Sequence, residues 1–294
     1  MSGLRGCLTF AGAICAAGPL AAQGLPAKAP ATDPAIVVTG KGQTQSGNEA
    51  FDEVRRLSRV ERIHEEALAR FEKPVCARVL GVRAEYAAAI AERIRDNAAH
   101  QHVPLAKGRC SPNLVVAFID DGQSVLSRLA RDNAALFSRV PPAERDELLT
   151  RDVPVRVWSI VETRLASGAP VPGRRGRAEL PAVRGRGVTA SFTLPTRSDI
   201  EGAIVAFDRD AVVGMTVAQL ADYATMRGLT HTRPASGDEP MATILALFDA
   251  DPAPTGLTPF DTGYLRTLYY WAANYSAATK FVGIEDRARK RSRD

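Results

Sequence analysis

The 294-residue chain is short of the residues from which most catalytic centres are assembled. Its only histidines are His64, His100, His102 and His231, and it has four cysteines. No G-x-S-x-G turn exposes a nucleophilic serine, and no G-x-x-x-x-G-K-[ST] loop cradles a phosphate. Aromatic residues make up 6% of the sequence, and none is interleaved with its arginine clusters. That excludes the base-stacking platform of a single-strand binder, so nucleic acid is not an expected partner. No apolar run reaches the ~20 residues that a membrane-spanning helix needs, and no internal repeat is visible. Three acidic pairs, Asp120 with Asp121, Asp208 with Asp210 and Asp249 with Asp251, lack the dense oxygen ligands of a calcium loop. They read as turn residues and strand-end caps.

What is present is the composition of an ordinary globular protein, 45% hydrophobic and 24% charged, long enough for one good core or two small ones. The first 22 residues differ: Arg5 precedes the run Leu8–Ala17, followed by Pro19, Leu20, Ala21 and Ala22, the pattern of a secretory signal cleaved after Ala22. Gly12 stands where a lipidated Cys15 would want a leucine, so lipid attachment is not expected. The mature chain is expected in the periplasm or outside the cell, with no transmembrane segment after cleavage. Cleavage removes Cys7 and Cys15 and leaves Cys76 and Cys110 in a compartment that permits disulfides. A Cys76–Cys110 pair is expected, with two buried thiols as the alternative. Loss of Arg5 lowers the formal charge from +5 to +4. The excess lies in Arg174, Arg175, Arg177, Arg184 and Arg186 and in a tail holding Arg287, Arg289, Lys290, Arg291 and Arg293. Both stretches read as solvated loop and frayed terminus, with a polyanion-binding surface as the alternative.

Residues 23–48 form a Pro/Ala-rich linker that holds one short extended segment, Ala35–Gly40. Its pentapeptide Ile36–Gly40 resembles the segment by which outer-membrane transporters contact their energising partner, an ordinary strand or spacer being the alternative. A single α+β domain is expected over 49–282, alternatively divided into 49–150 and 151–282, before a basic tail over 283–294. Val54, Leu57 and Val60 predict a helix from Glu49, with His64, Glu65 and Glu66 on a solvent-facing helix surface. Tyr86, Ile90 and Ile94 predict a second over Ala84–Ala99, with Glu85, Glu92, Arg93 and Arg95 off its apolar face and His100 and His102 closing it. Asn113–Ile119 reads as a buried strand, Gln123–Ala130 and Pro142–Leu149 as helices, and Val153–Ala166, Gly187–Leu194 and Ala203–Phe207 as strands. Capping boxes at Thr216–Gln219 and Thr258–Asp261 open two further helices, the second with Leu265, Leu268, Tyr269 and Ala272 on one core face. This order gives an α+β fold, a mixed sheet with packed helices.

Ala221–His231 reads Ala-Asp-Tyr-Ala-Thr-Met-Arg-Gly-Leu-Thr-His and lies in the frame H-E-x-x-H-x-x-G-x-x-H, the zinc site of the metzincin proteases. Only Gly228 and His231 match it; Ala221 and Thr225 stand at the first two ligand positions and Asp222 at that of the general-base glutamate. Ala242–Phe248 lies where zincins carry a turn beneath the metal, and Leu257–Tyr269 is similar to the helix that packs behind it. Over 196–270 the chain therefore resembles secreted bacterial proteins with a zincin-like, metzincin-related C-terminal half and a degenerate zinc motif. The resemblance implies a zincin-like C-terminal half with no metal and no cofactor, acting as a non-catalytic binding or structural module. Its cleft, with Asp222, Arg227 and His231 as candidate ligand-binding residues, would receive a peptide, a protein or a small ligand. One rival is a protease-like hydrolase with Asp222 and His231 as catalytic residues, joined by Arg197 or Asp199. The other is an envelope protein held on anionic polymer through its arginines.

Overall fold

Among the described residues there are four strands, β1 (Ala77–Leu80), β2 (Leu114–Ile119), β3 (Val155–Leu165) and β4 (Thr196–Asp208), the last three rich in β-branched and aromatic residues. They form one mixed sheet in the order β1-β2-β4-β3. β1 and β4 each run parallel to β2, with Leu114 opposite both Ala77 and Ala203, while β3 pairs antiparallel with β4 at the edge, Val155 opposite Phe207. The computed structural model describes residues 47–138, 140–172, 192–238 and 241–283. The expected signal, the Ile36–Gly40 segment, the five arginines of 174–186 and the basic tail from 284 onward lie outside the described residues.

Among the described residues, besides a helical stretch over 277–283, the helices are α1 (Gly47–Leu57), α2 (Ala84–His100), α3 (Gly122–Asp132), α4 (Ala134–Phe137), α5 (Pro142–Thr150), α6 (Val217–Thr230) and α7 (Pro259–Tyr270). Alternate residues of β4 face opposite layers. Ala203, Val205 and Phe207 join Ile90 and Ile94 of α2, Tyr223 and Met226 of α6 and Leu265 of α7 in the main core. Ile204 and Ala206 meet Leu126, Phe137, Leu148 and Trp158 in a smaller core beneath α3, α4 and α5. Because both faces are covered, β2 and the second half of β4 read as near-continuous apolar runs. The expected α+β class with a mixed sheet is the observed one. No described helix is long and apolar enough to cross a membrane.

Three local expectations differ. The first helix stops at Leu57, because the backbone N–H of Arg233 donates to the Leu57 carbonyl at 2.7 Å and the Arg233 side chain donates to the Ser58 carbonyl. His64, Glu65 and Glu66 consequently lie in a turn rather than on a helix. Of the strand expected over Gly187–Leu194 only residues 192–194 are described, and Thr193 forms a single bridge to Tyr275. The short β1 had no sequence signal of its own, since four residues directly after Cys76 are too few to show a period.

Cys76 and Cys110 are disulfide-bonded, 34 residues apart with Cα atoms at 6.1 Å, and tie together the segments that lead into β1 and β2. Replacing both by serine is expected to lower stability by roughly 3 to 4 kcal/mol on the loop-entropy model, read from urea-unfolding midpoints.

Lys280, in the helical stretch 277–283, is fully buried, and its only hydrogen bond among the described residues is to the Ala273 carbonyl at 3.4 Å. Burial pushes its ammonium down to about 7, Arg70 adding to the shift and Glu72 opposing it. The unfolded lysine keeps its proton up to about 10.5. Between those values the unfolded chain holds a proton that the folded chain has lost, so stability rises with pH across that window. Lys280→Met is expected to raise the Tm at pH 7 and to flatten its rise toward alkaline pH, as followed by circular dichroism.

Candidate functional site

Helix α6 carries the residues singled out by the zinc frame. It opens on the expected capping box, Thr216 accepting from the Gln219 N–H and the Gln219 side chain accepting from the Thr216 N–H. Every residue from Leu220 to Thr230 is then buried. A helix buried on all sides has no solvent face to set its rotation, so polar contacts set it. Asp222 is fully buried and accepts four hydrogen bonds: Arg93 Nε and Nη2 at 2.7 Å each, Asn97 Nδ2 at 2.7 Å and the Leu257 N–H at 2.9 Å. The side-chain hydrogen bond to Asp222 raises the Arg93 guanidinium above its ordinary value against the opposing effect of burial. A Cβ at Gly256 would stand 2.7 Å from Asp222 Oδ2, so the loop before α7 approaches this carboxylate too closely for a side chain.

The other frame positions face the same packed interior. Thr225 Oγ1 donates to the Ala221 carbonyl at 2.7 Å and accepts from Asn97, and Ala221 is fully buried. Gly228 does not end the helix. It lies within α6, where a Cβ would be 2.6 Å from Leu114 Cδ1, and so permits the close approach of α6 to β2. The helix ends instead at His231, which caps it in the left-handed conformation, φ 51° and ψ 40°. His231 lines a small cavity of about 110 Å³ with Ser58, Arg59, Glu66 and Ser198. Burial, together with Arg59, Arg227 and Arg233, pushes its imidazole down to about 3, so it is neutral at physiological pH.

Successive residues of an α-helix turn by about 100°, which puts Tyr223 and Arg227 roughly 100° and 140° round from Asp222. These two, at i and i+4, line a pocket of about 270 Å³. The remaining walls are Val155–Trp158 of β3, Glu144, Glu147 and Leu148 of α5, the turn residues Leu245, Phe248 and Asp249, and Arg59. Phe248 packs edge-on against Tyr223 with ring centroids 5.2 Å apart. Its turn is anchored by Asp261 of α7, which accepts from Thr243 Oγ1 at 2.5 Å, from the Ile244 N–H at 2.8 Å and from the Thr258 N–H at 2.9 Å. Burial raises the Asp261 carboxyl to about 6 against the lowering effect of those donors. β3 lies at the sheet edge. The Asp208 N–H donates to the Pro154 carbonyl at 3.0 Å, and hydrogen-bonded pairs alternate along an antiparallel ladder. The N–H and C=O groups of Val155 and Val157 therefore point away from β4, toward the pocket.

The charges are unevenly matched. Arg59 pairs with Glu144 at 3.3 Å, Arg151 with Glu147 at 3.2 Å and Arg156 with Asp208 at 2.8 Å. Arg227 is 4% exposed, and its one hydrogen bond among the described residues runs from Nη1 to Tyr223 Oη at 2.8 Å. Among the described residues its Nε has no partner and no carboxylate forms an ion pair with it, although the charge of Glu147 in the same lining supports its proton. Burial lowers its pKa, yet a guanidinium keeps its proton in proteins. Arg227 is therefore a buried cation facing a pocket.

The structure thus separates the expected cleft residues. Arg227 stands in the pocket, Asp222 is enclosed between α6, α2 and the loop before α7, and His231 lines a different cavity that shares Arg59 with the pocket. Arg197 and Asp199 pair with each other in β4 at 2.9 Å, within a network that includes Glu72 and Arg164. Among the described residues no group of three His, Cys, Asp or Glu side chains could hold a metal ion, so the residues of the zinc frame do not fit zinc. The chain matches no protein-family model, no curated protein and no solved structure. Tyr223, Trp158, Phe248 and Arg59 were missed as pocket residues. One sequence signal was available, a single arginine four residues after a tyrosine on a helix whose one other charged residue is Asp222.

Asp222→Asn, which keeps the shape and removes the charge of the Arg93 pair, is expected to cost about 2 to 3 kcal/mol in urea unfolding. Arg227→Met, which removes a buried charge with no acidic partner, is expected to leave stability unchanged or raise it. The reverse ranking would reassign the structural role to Arg227.

Proposed function

We propose that this chain is an exported, metal-free binding module whose ligand site is the pocket between β3, α5 and α6. The observation that carries the reading is Arg227, a buried guanidinium without an acidic partner on the wall of a 270 Å³ pocket. A buried charge without an ion-pair partner opposes folding by several kcal/mol; Tyr223 and Glu147 offset part of that cost, and a partner supplied by a ligand would offset more. The signal-like first 22 residues and the Cys76–Cys110 disulfide support export to an oxidising compartment, the periplasm or beyond. The hydrolase reading is less well supported by the geometry, since four donors occupy the Asp222 carboxylate and His231 lies in the other cavity.

Native mass spectrometry after exposure to a low-molecular-weight extract of the growth medium and periplasm tests this. A one-to-one adduct is expected on the wild-type chain, lost in Arg227→Met. An adduct retained by that variant, or chemically altered small molecules accumulating with time on the wild-type chain, would overturn the reading.

A further inference from the structure

Resting on the reading that this pocket binds rather than transforms its ligand, we infer that the ligand is a monocarboxylate with a compact apolar or aromatic body, its carboxylate paired to Arg227. The charge count comes first. Arg59 and Arg156 have ion-pair partners in Glu144 and Asp208, and Arg227 is the lining cation that has none among the described residues, although Glu144, Glu147, Asp152 and Asp249 give the lining one more acid than its three cations. Tyr223 uses one hydrogen of Nη1. Among the described residues nothing accepts from the second hydrogen of Nη1 or from Nη2, so the guanidinium has hydrogens left to donate to both oxygens of one carboxylate.

The same lining argues against a doubly charged group. Asp152 and Asp249 are exposed in it and Glu147 is partly so, and all three would repel a second negative charge. A phosphate monoester brings that second charge at neutral pH; a carboxylate does not. Size and walls fix the rest. A volume of 270 Å³ corresponds to about nine water molecules at ~30 Å³ each, room for one ring and a short chain. Tyr223 and Phe248 meet edge to face beside it, and Trp158 lies on the wall supplied by β3. Either a free aromatic acid or the C-terminal residue of a peptide presents this chemistry.

Fluorescence tests the assignment, because the chain has two tryptophans and a Trp271→Phe background leaves Trp158 as the reporter. Titration with 3-phenylpropionate, its neutral amide, phenyl phosphate, and Gly-Gly-Phe with a free or amidated C-terminus covers the alternatives. The carboxylate is expected to bind at least tenfold more tightly than the amide or the phosphate, and to lose that advantage in Arg227→Met, whose folding is checked by urea unfolding. Binding of Gly-Gly-Phe that disappears on amidation identifies a peptide terminus as the source, whereas binding confined to 3-phenylpropionate identifies a free acid. An amide that binds as well as the acid, or a carboxylate indifferent to Arg227, overturns the inference while leaving a binding pocket. Silence of Trp158 toward every probe also overturns it, and the adduct measurement then decides separately whether the pocket binds any ligand.

Discussion

The rotation of α6 is the constraint from which the arrangement of this protein follows, and the Asp222–Arg93 pair sets it. A helix buried on every side from Leu220 to Thr230 gains apolar contacts almost equally well in several rotations. A carboxylate cannot be placed so freely, because burying it without donors costs far more than misplacing a methyl group. Arg93, Asn97 and the Leu257 N–H converge on one point between α2, α6 and the loop before α7. Gly228 adds a steric condition on the far side, where the helix touches Leu114 of β2. With those two conditions met, Tyr223 and Arg227 have only one direction in which to point. A shift of one residue, about 100° of rotation, would bring Asp222 to the pocket side and turn Arg227 into the apolar contacts of the core.

The two buried charges on this helix therefore play opposite parts. Asp222 is saturated with donors and supports the fold. Arg227 has the hydroxyl and the ring of Tyr223, the more distant charge of Glu147 and, among the described residues, no ion-pair partner, so its burial is compensated less fully. The wall facing Arg227 is secured from elsewhere: Asp261 both caps α7 and holds Thr243 and Ile244, so that the turn carrying Leu245 and Phe248 is anchored by hydrogen bonds outside the pocket.

Local patterns in the sequence were enough for most of the elements and not for the site. Thr216 with Gln219, Thr258 with Asp261, and the run Asn113–Ile119 each locate an element within a residue or two, because a cap or an apolar strand is defined by its own neighbours. The zinc frame marks the helix that carries Tyr223 and Arg227, but Asp222 within it lies round the helix from the pocket. Spacing fixes which residues share a face, but which face meets the cleft depends on contacts from far along the chain. The partner that decides this, Arg93, is 129 residues from Asp222, among the polar residues set apart from the apolar face of α2. The early end of α1 has the same origin, since Arg233 takes the carbonyl of Leu57 across a gap of 176 residues, that is 233 minus 57.

The position of the pocket at a sheet edge supplies the last step. An edge strand presents unpaired N–H and C=O groups, and a protein with no use for them covers the edge, charges it or shortens it. β3 spans eleven residues and is covered from one side by α5 and from the other by α6 and the 243–249 turn, yet the coverings do not meet over Val155 to Trp158. Closing that gap would need only a few larger apolar side chains in place of Arg227 and its neighbours, and would relieve a buried charge at the same time. Instead the acids Glu147, Asp152 and Asp249 ring the opening and a cation stands inside it. Carboxylates at the mouth discourage pairing with a second sheet and the attachment of polyanions, while the guanidinium within favours a single negative group. On the binding reading proposed above, the gap excludes by charge much of what an open strand edge would otherwise attract, and it is this pattern of charge, rather than the cavity alone, that argues for a recognition site over a packing defect.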